Sequence, residues 1–164
     1  MNSLYWLTEK PENGETDEEA EANYTAAIEA GAKFGFSVGG IKQSIITGAY
    51  RGGLDVKQTE LRGILQLNGT TEASTFDYAE IISDPPTMRE DMVRVGGMSK
   101  TADIRYRAEF KNWEIPLQLE YHKGGKYTVE QLLNMVNYGG FYVGIGEWRP
   151  DKDGQFGMYQ LKMD

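Results

Sequence analysis

Residues 113–140 read WEIPLQLEYHKGGKYTVEQLLNMVNYGG, and a change of period inside them decides the fold class. From Trp113 to Tyr121 apolar side chains recur at every second position. Trp113, Ile115, Leu117, Leu119 and Tyr121 face one way; Glu114, Pro116, Gln118 and Glu120 face the other. That is the period of a strand. Pro116 has no amide proton to give a ladder, which places this strand at an edge or a bulge. After the HKGGK turn the period becomes helical. Thr128 and Gln131 form a capping box. Val129, Leu132, Leu133 and Val136 predict the buried face, and Gly139-Gly140 predict the end. A strand followed by a capped helix argues for an α+β domain.

Reading outward, FYVGIGEW (141–148) and QFGMYQLKM (155–163) predict two strands joined by RPDKDG. Upstream, IRYRAEF (104–110) alternates, with Ile104, Tyr106, Ala108 and Phe110 opposed to Arg105, Arg107 and Glu109. LRGILQL (61–67) and FDYAEII (76–82) also read as strands. Residues 37–53, SVGGIKQSIITGAYRGG, predict a helix capped by Ser37, with Val38, Ile41, Ile45 and Ala49 on its buried face and Gly52-Gly53 at its stop. Gly39, Gly40 and Gly48 each cost that helix about 1 kcal/mol relative to Ala, which points to a close backbone approach. Residues 83–103 predict a long irregular excursion, and loops beyond about 15 residues are usually functional or disordered. SLYWL (3–7) is the candidate first strand. The order suits a ferredoxin-like β-α-β-β-α-β unit: an antiparallel sheet packed with two helices.

Of the net charge of −8, most lies at the front. Residues 1–31 hold eight acids and one base, and residues 9–23 are polar and turn-rich. The expectation is a partly flexible acidic segment over 1–31 and a single domain over 32–164. The chain has no cysteine, so disulfides and thiol chemistry are excluded, and a reducing cytoplasmic setting fits. No apolar run approaches the roughly 18 residues of a membrane span, and the N-terminus lacks the pattern of a signal peptide.

Candidate chemistry is sparse. His122 is the single histidine; it sits in a turn and is a weak basis for acid–base catalysis or zinc. Glu90 with Asp91, and Asp151 with Asp153, read as solvated loop charges rather than metal ligands. GIGEWR begins like a dinucleotide fingerprint, but Arg149 replaces the third glycine and a turn follows where a helix is needed. No catalytic residue, metal or cofactor is expected. What remains is a set of cations in loop or strand settings: Lys42, Arg51, Arg62, Arg89, Arg94, Arg105, Arg107 and Arg149, with Lys100 and Lys111 nearby and Trp148 and many tyrosines among them. Guanidiniums beside aromatics are the equipment for single-stranded nucleic acid.

Two stretches carry a resemblance. FSVGGIKQSIITGAYRGG (36–53) resembles the opening helix of the RAMP superfamily, the ferredoxin-like RNA-binding subunits of CRISPR effector complexes. GIGEWRPDKDGQFGMYQL (144–161) is similar to that superfamily's glycine-rich loop, matching at Gly144, Ile145, Gly146, Arg149, Gly154, Phe156 and Gly157. The chain departs from the pattern in its acidic tip, Asp151-Lys152-Asp153, and lacks a clean Lys-Gly in the first helix. Most of residues 36–162 also resembles a group of single-domain proteins encoded by bacteriophages and prophages. The resemblance implies a non-enzymatic protein that binds single-stranded RNA or DNA through these cations and the glycine loop, as a homo-oligomer in the host cytoplasm. The alternatives are a protein that docks onto or mimics a subunit of a host CRISPR or other defence complex, and a metal-independent ribonuclease. The last is weakened because no histidine lies near the first helix.

Overall fold

The computed structural model describes residues 5–95 and 101–162, without the side chains of residues 94, 95 and 101. Lys100 therefore lies outside the described residues, as does the side chain of Arg94. The chain is α+β and forms two compact units: Met1–Phe36 with Gly69–Pro116, and Ser37–Asn68 with Leu117–Asp164. We call them the sheet unit and the helix unit. The charge divides unequally between them. The sheet unit contains 17 acids and 8 bases, and the helix unit 8 acids and 9 bases.

In the sheet unit, strands β1 (Tyr5–Trp6), β2 (Phe34–Ser37) and β4 (Tyr78–Ile81) make a three-stranded sheet in the order β1-β2-β4. Tyr5 pairs with Gly35 and Trp6 with Phe34, antiparallel. Aromatic contacts form its core: Trp6 to Phe34 at 4.7 Å, Trp6 to Tyr24 at 5.7 Å and Phe34 to Phe110 at 5.7 Å between ring centres. Helix α1 (Asp17–Glu29) occupies part of the acidic segment that the sequence presents as loop. Its start is chemically well specified. Thr16 accepts from the Glu19 amide, and Asp17, Glu18 and Glu19 place negative charge at the positive end of the helix. Tyr24 is its one buried residue, so no apolar stripe announces it.

The predicted excursion 83–103 is mostly strand. β5 (Thr87–Val95) and β6 (Thr101–Glu109) pair antiparallel in full register, from Thr87 opposite Glu109 to Val95 opposite Thr101. Together they form a separate two-stranded ribbon. Alternation puts Met88, Met92, Ile104 and Tyr106 on one exposed face. The other face carries Arg89, Asp91 and Arg107.

In the helix unit, α2 (Val38–Arg51) begins where the sequence places it, capped by the Ser37 hydroxyl on the Gly40 amide. Val38, Ile41, Ile45 and Ala49 are buried as expected. Residues 61–67 are not one strand: α3 (Gln58–Ile64) runs into β3 (Leu65–Gly69). The 113–121 alternation also breaks, at Pro116. Glu114 bridges to Ile82 in the sheet unit, whereas β7 (Leu117–Tyr121) pairs with β3. Helix α4 (Val129–Tyr142) has the predicted capping box but passes through Gly139-Gly140 without ending. A Cβ on Gly139 would lie 2.7 Å from the Ile45 Cα, and one on Gly140 would overlap the Tyr159 carbonyl. These glycines admit neighbouring backbone instead of stopping the helix. The buried stripe is Leu132, Met135 and Gly139, while Val129 and Leu133 are exposed. The strands thus make one three-stranded and two two-stranded sheets, where the resemblance implies a single sheet backed by two helices.

Candidate nucleic-acid interface

The stretch 144–157 is a compact loop rather than the predicted hairpin. Phe141 and Tyr142 finish α4, and no strand follows among the described residues. Five residues take left-handed backbone angles: Gly144 (φ 69), Gly146 (φ 76), Trp148 (φ 53), Asp153 (φ 58) and Gly157 (φ 64). Such a run cannot extend into strands. The loop closes on itself instead. The Ile145 amide donates to Gly157 O at 2.9 Å and the Phe156 amide to Trp148 O at 3.0 Å. A 3-10 turn, Pro150–Lys152, forms its tip. Gly154 is required for room, since a Cβ there would overlap the Trp148 carbonyl.

Asp151 organises this loop. Its amide donates to Val143 O at 3.2 Å, which ties the tip to the end of α4. Its carboxylate pairs with Arg51 at the end of α2, with Arg149 at 3.2 Å and with Lys152 at 3.6 Å. Only 14% of that side chain is exposed, so Asp151 is not the solvated charge expected. The hydrogen bond from Arg51 holds its carboxyl below the ordinary 3.8, against the opposing effect of burial. Arg149 also donates to Gly146 O at 3.0 Å. Tyr50, Phe141, Tyr142 and Trp148 are exposed, and Tyr50 and Trp148 are the chain neighbours of Arg51 and Arg149. Tyr142 stacks on Tyr138 with ring centres 5.7 Å apart, and a Cβ on Gly52 would run into the Tyr138 ring. The ends of α2 and α4 and the glycine loop therefore meet at Asp151.

The other candidate cations are placed elsewhere. Lys42 is half-buried and donates to the Arg62 carbonyl at 2.9 Å, while the Arg62 side chain is exposed on α3. Arg89 and Arg107 both bind Asp91, at 2.6 and 2.9 Å. Asp91 is buried, which corrects its reading as a solvated loop acid. Arg105 approaches Asp103 at 3.8 Å. Arg94 lies in β5 opposite Ala102. The structure thus brings together Arg51, Trp148, Arg149 and the glycines, and leaves the arginines of residues 89–107 on the ribbon of the acidic sheet unit. Sequence reasoning missed the aromatics Tyr50, Phe141 and Tyr142. The wrong strand assignment of 141–148 hid the last two.

Among the described residues no cluster of three or more acids or histidines is placed to hold a metal, and no helix is long and apolar enough to cross a membrane. Comparison of the chain with protein families, curated proteins and solved structures returns no match.

Proposed function

We propose that the protein is a non-catalytic binding module that holds single-stranded RNA or DNA on the surface formed by Arg51, Trp148, Arg149 and the exposed Tyr50, Phe141 and Tyr142. The observation that carries this reading is the convergence of Arg51 and Arg149, 98 positions apart in the chain, on Asp151, with exposed Tyr50 and Trp148 next to them in the chain. Three cations gather around one carboxylate, and aromatic faces accept bases whatever their sequence. The charge division supports the helix unit as the site, because the excess of acid in the sheet unit repels phosphate. The likeness of residues 144–161 to the RAMP glycine loop points the same way; a ferredoxin-like relationship and a host-cytoplasmic setting rest on that likeness and on the absence of cysteine.

Exposed Glu147 and Asp153 offset the cations of the same loop, so stacking contributes more than phosphate contact. Binding of a labelled single-stranded oligonucleotide should then show a shallow salt slope, near −1.4 for about two phosphates. Trp148→Ala should weaken binding about tenfold, as expected for loss of one stacked base. Arg149→Ala should flatten the salt slope. Fluorescence anisotropy over a salt series that starts at low salt measures all three. Absence of binding by the natural chain, or unchanged affinity in Trp148→Ala, would overturn the proposal.

A further inference from the structure

The outer half of β6 is open in a specific pattern. Every residue from Ala102 to Tyr106 is exposed, whereas Arg107 to Phe110 are half-buried. β6 pairs with β5 along one edge, and its other edge meets no strand among the described residues. An open edge offers unsatisfied N–H and C=O groups to another strand, and an isolated two-stranded ribbon is marginally stable in water. The charges at this edge are the ones that the ribbon does not engage closely. Arg89 and Arg107 are held by Asp91. Arg105 reaches only its strand neighbour Asp103, at 3.8 Å, with the two side chains 52% and 54% exposed.

We propose that this edge pairs with β6 of a second copy of the chain, antiparallel, about a two-fold axis at Ile104. In that register Ile104 meets its own counterpart, Asp103 meets the partner's Arg105, Arg105 meets the partner's Asp103, and Ala102 meets the partner's Tyr106. A two-fold relation between antiparallel strands must centre on a residue, because facing side chains share a face of the sheet. Centring on Arg105 would oppose Asp103 to the partner's Arg107 but set Arg105 against itself. Centring on Tyr106 would set Arg105 against Arg107 and Asp103 against Glu109. Within the exposed stretch Ile104 is the centre that opposes unlike charges twice and sets no charge against its like. The product is a four-stranded sheet, β5-β6-β6-β5, with Met88, Met92, Ile104 and Tyr106 of both copies on one face together with Glu90. Repulsion between two acidic units is screened beyond about 8 Å at physiological ionic strength, while the apposed pairs are adjacent.

Sedimentation equilibrium of the full chain at physiological ionic strength tests this. The natural chain should self-associate. Asp103→Arg and Arg105→Glu should each weaken association about tenfold, because two attractive cross-strand pairs become repulsive. An equimolar mixture of the two variants should recover association to within about threefold of the natural chain, since their heterodimer restores both unlike pairs. Circular dichroism and amide exchange verify that each variant keeps its ribbon. Independently, Ile104→Cys introduces the chain's only thiol, and a short bis-maleimide should link two copies through it but not in the Asp103→Arg background. A natural chain that stays monomeric up to about 1 mM, association indifferent to both charge variants, a mixture of folded variants that fails to recover, or an absent cross-link would each overturn the proposal.

Discussion

Gly48→Val is expected to destabilise the helix unit strongly. A Cβ at position 48 would stand 2.5 Å from the Gly139 Cα and 2.6 Å from both the Gly139 nitrogen and the Tyr138 carbonyl oxygen. All three are backbone atoms, so no side-chain rotation relieves the clash; α2 and α4 must move apart. Separation would uncover Ile45, Ala49, Leu132 and Met135, all buried. It would also break the polar chain at the crossing. There Tyr159 donates to the Ser44 hydroxyl at 3.0 Å, and Ser44 donates to Gly139 O at 3.1 Å. Burial pushes the Tyr159 phenol up to about 12, against a smaller effect of Ser44, so it stays a neutral donor across the working range. Overpacking a core costs about 1–3 kcal/mol and sometimes more, against a total stability of about 5–15 kcal/mol. Gly48→Ala should lose about 2 kcal/mol even after its gain in helix propensity, and Gly48→Val more than about 3 kcal/mol. Gly39→Ala is the control. Its Cβ meets only the Ser37 hydroxyl oxygen, at 3.7 Å, so it should gain up to about 1 kcal/mol. Urea unfolding followed by circular dichroism measures the series. A Gly48→Val chain as stable as the natural one would refute the close crossing.

These glycines also show what the sequence made legible. A cap is a local device, so Ser37 and Thr128 announce the starts of α2 and α4 correctly. A helix end depends on what lies outside it. Gly139-Gly140 reads as a stop in isolation, yet Ile45 and Tyr159 occupy the space that side chains there would fill. Strand β5 was hidden for a related reason, whereas the alternation of residues 104–110 marks most of β6. β5 reads TMREDMVRV, whose charges suggest a loop, but Asp91 is buried between two guanidiniums supplied by its own ribbon. Helix α1 was hidden because it buries little beyond Tyr24. At the candidate interface, Arg51 and Arg149 stood out as cations among glycines. That both would meet one carboxylate, reached from α2 and from the loop tip, is a property of the tertiary fold alone.

Asp91→Ala is expected to open the β5–β6 ribbon. The strand register sets Arg89 directly opposite Arg107, and like charges facing each other across a ladder are destabilising. Asp91 resolves this by accepting from Arg89 on one carboxylate oxygen and from Arg107 on the other. Without it, two guanidiniums with side chains only 28% and 17% exposed face each other, and Glu109, 4.0 Å from Arg89, is a weaker counter-charge. Removing one partner of a buried ion pair costs about 3–5 kcal/mol, and partial exposure sets the expectation near the lower figure, about 3 kcal/mol. An isolated ribbon has little stability in reserve, so the loss should appear as local opening: amide exchange in β5 and β6 should accelerate about a hundredfold while the helix unit is unaffected. The pH dependence has a definite sign. Burial pushes the Asp91 carboxyl up, but hydrogen bonds from Arg107 and Arg89 outweigh it and hold the group below its ordinary 3.8. A carboxyl with a lower value in the folded state contributes its full stability above the unfolded value and loses it as pH falls through the folded one. Protection of the natural ribbon should therefore decline below pH 3.8, toward the level that Asp91→Ala shows at neutral pH. Combining Asp91→Ala with Arg107→Leu removes one of the two facing charges and should recover part of the protection, because the like-charge repulsion across the ladder is gone. Unchanged exchange in Asp91→Ala at neutral pH would show that hydrogen bonds between the strands, and not the carboxylate, hold the ribbon closed.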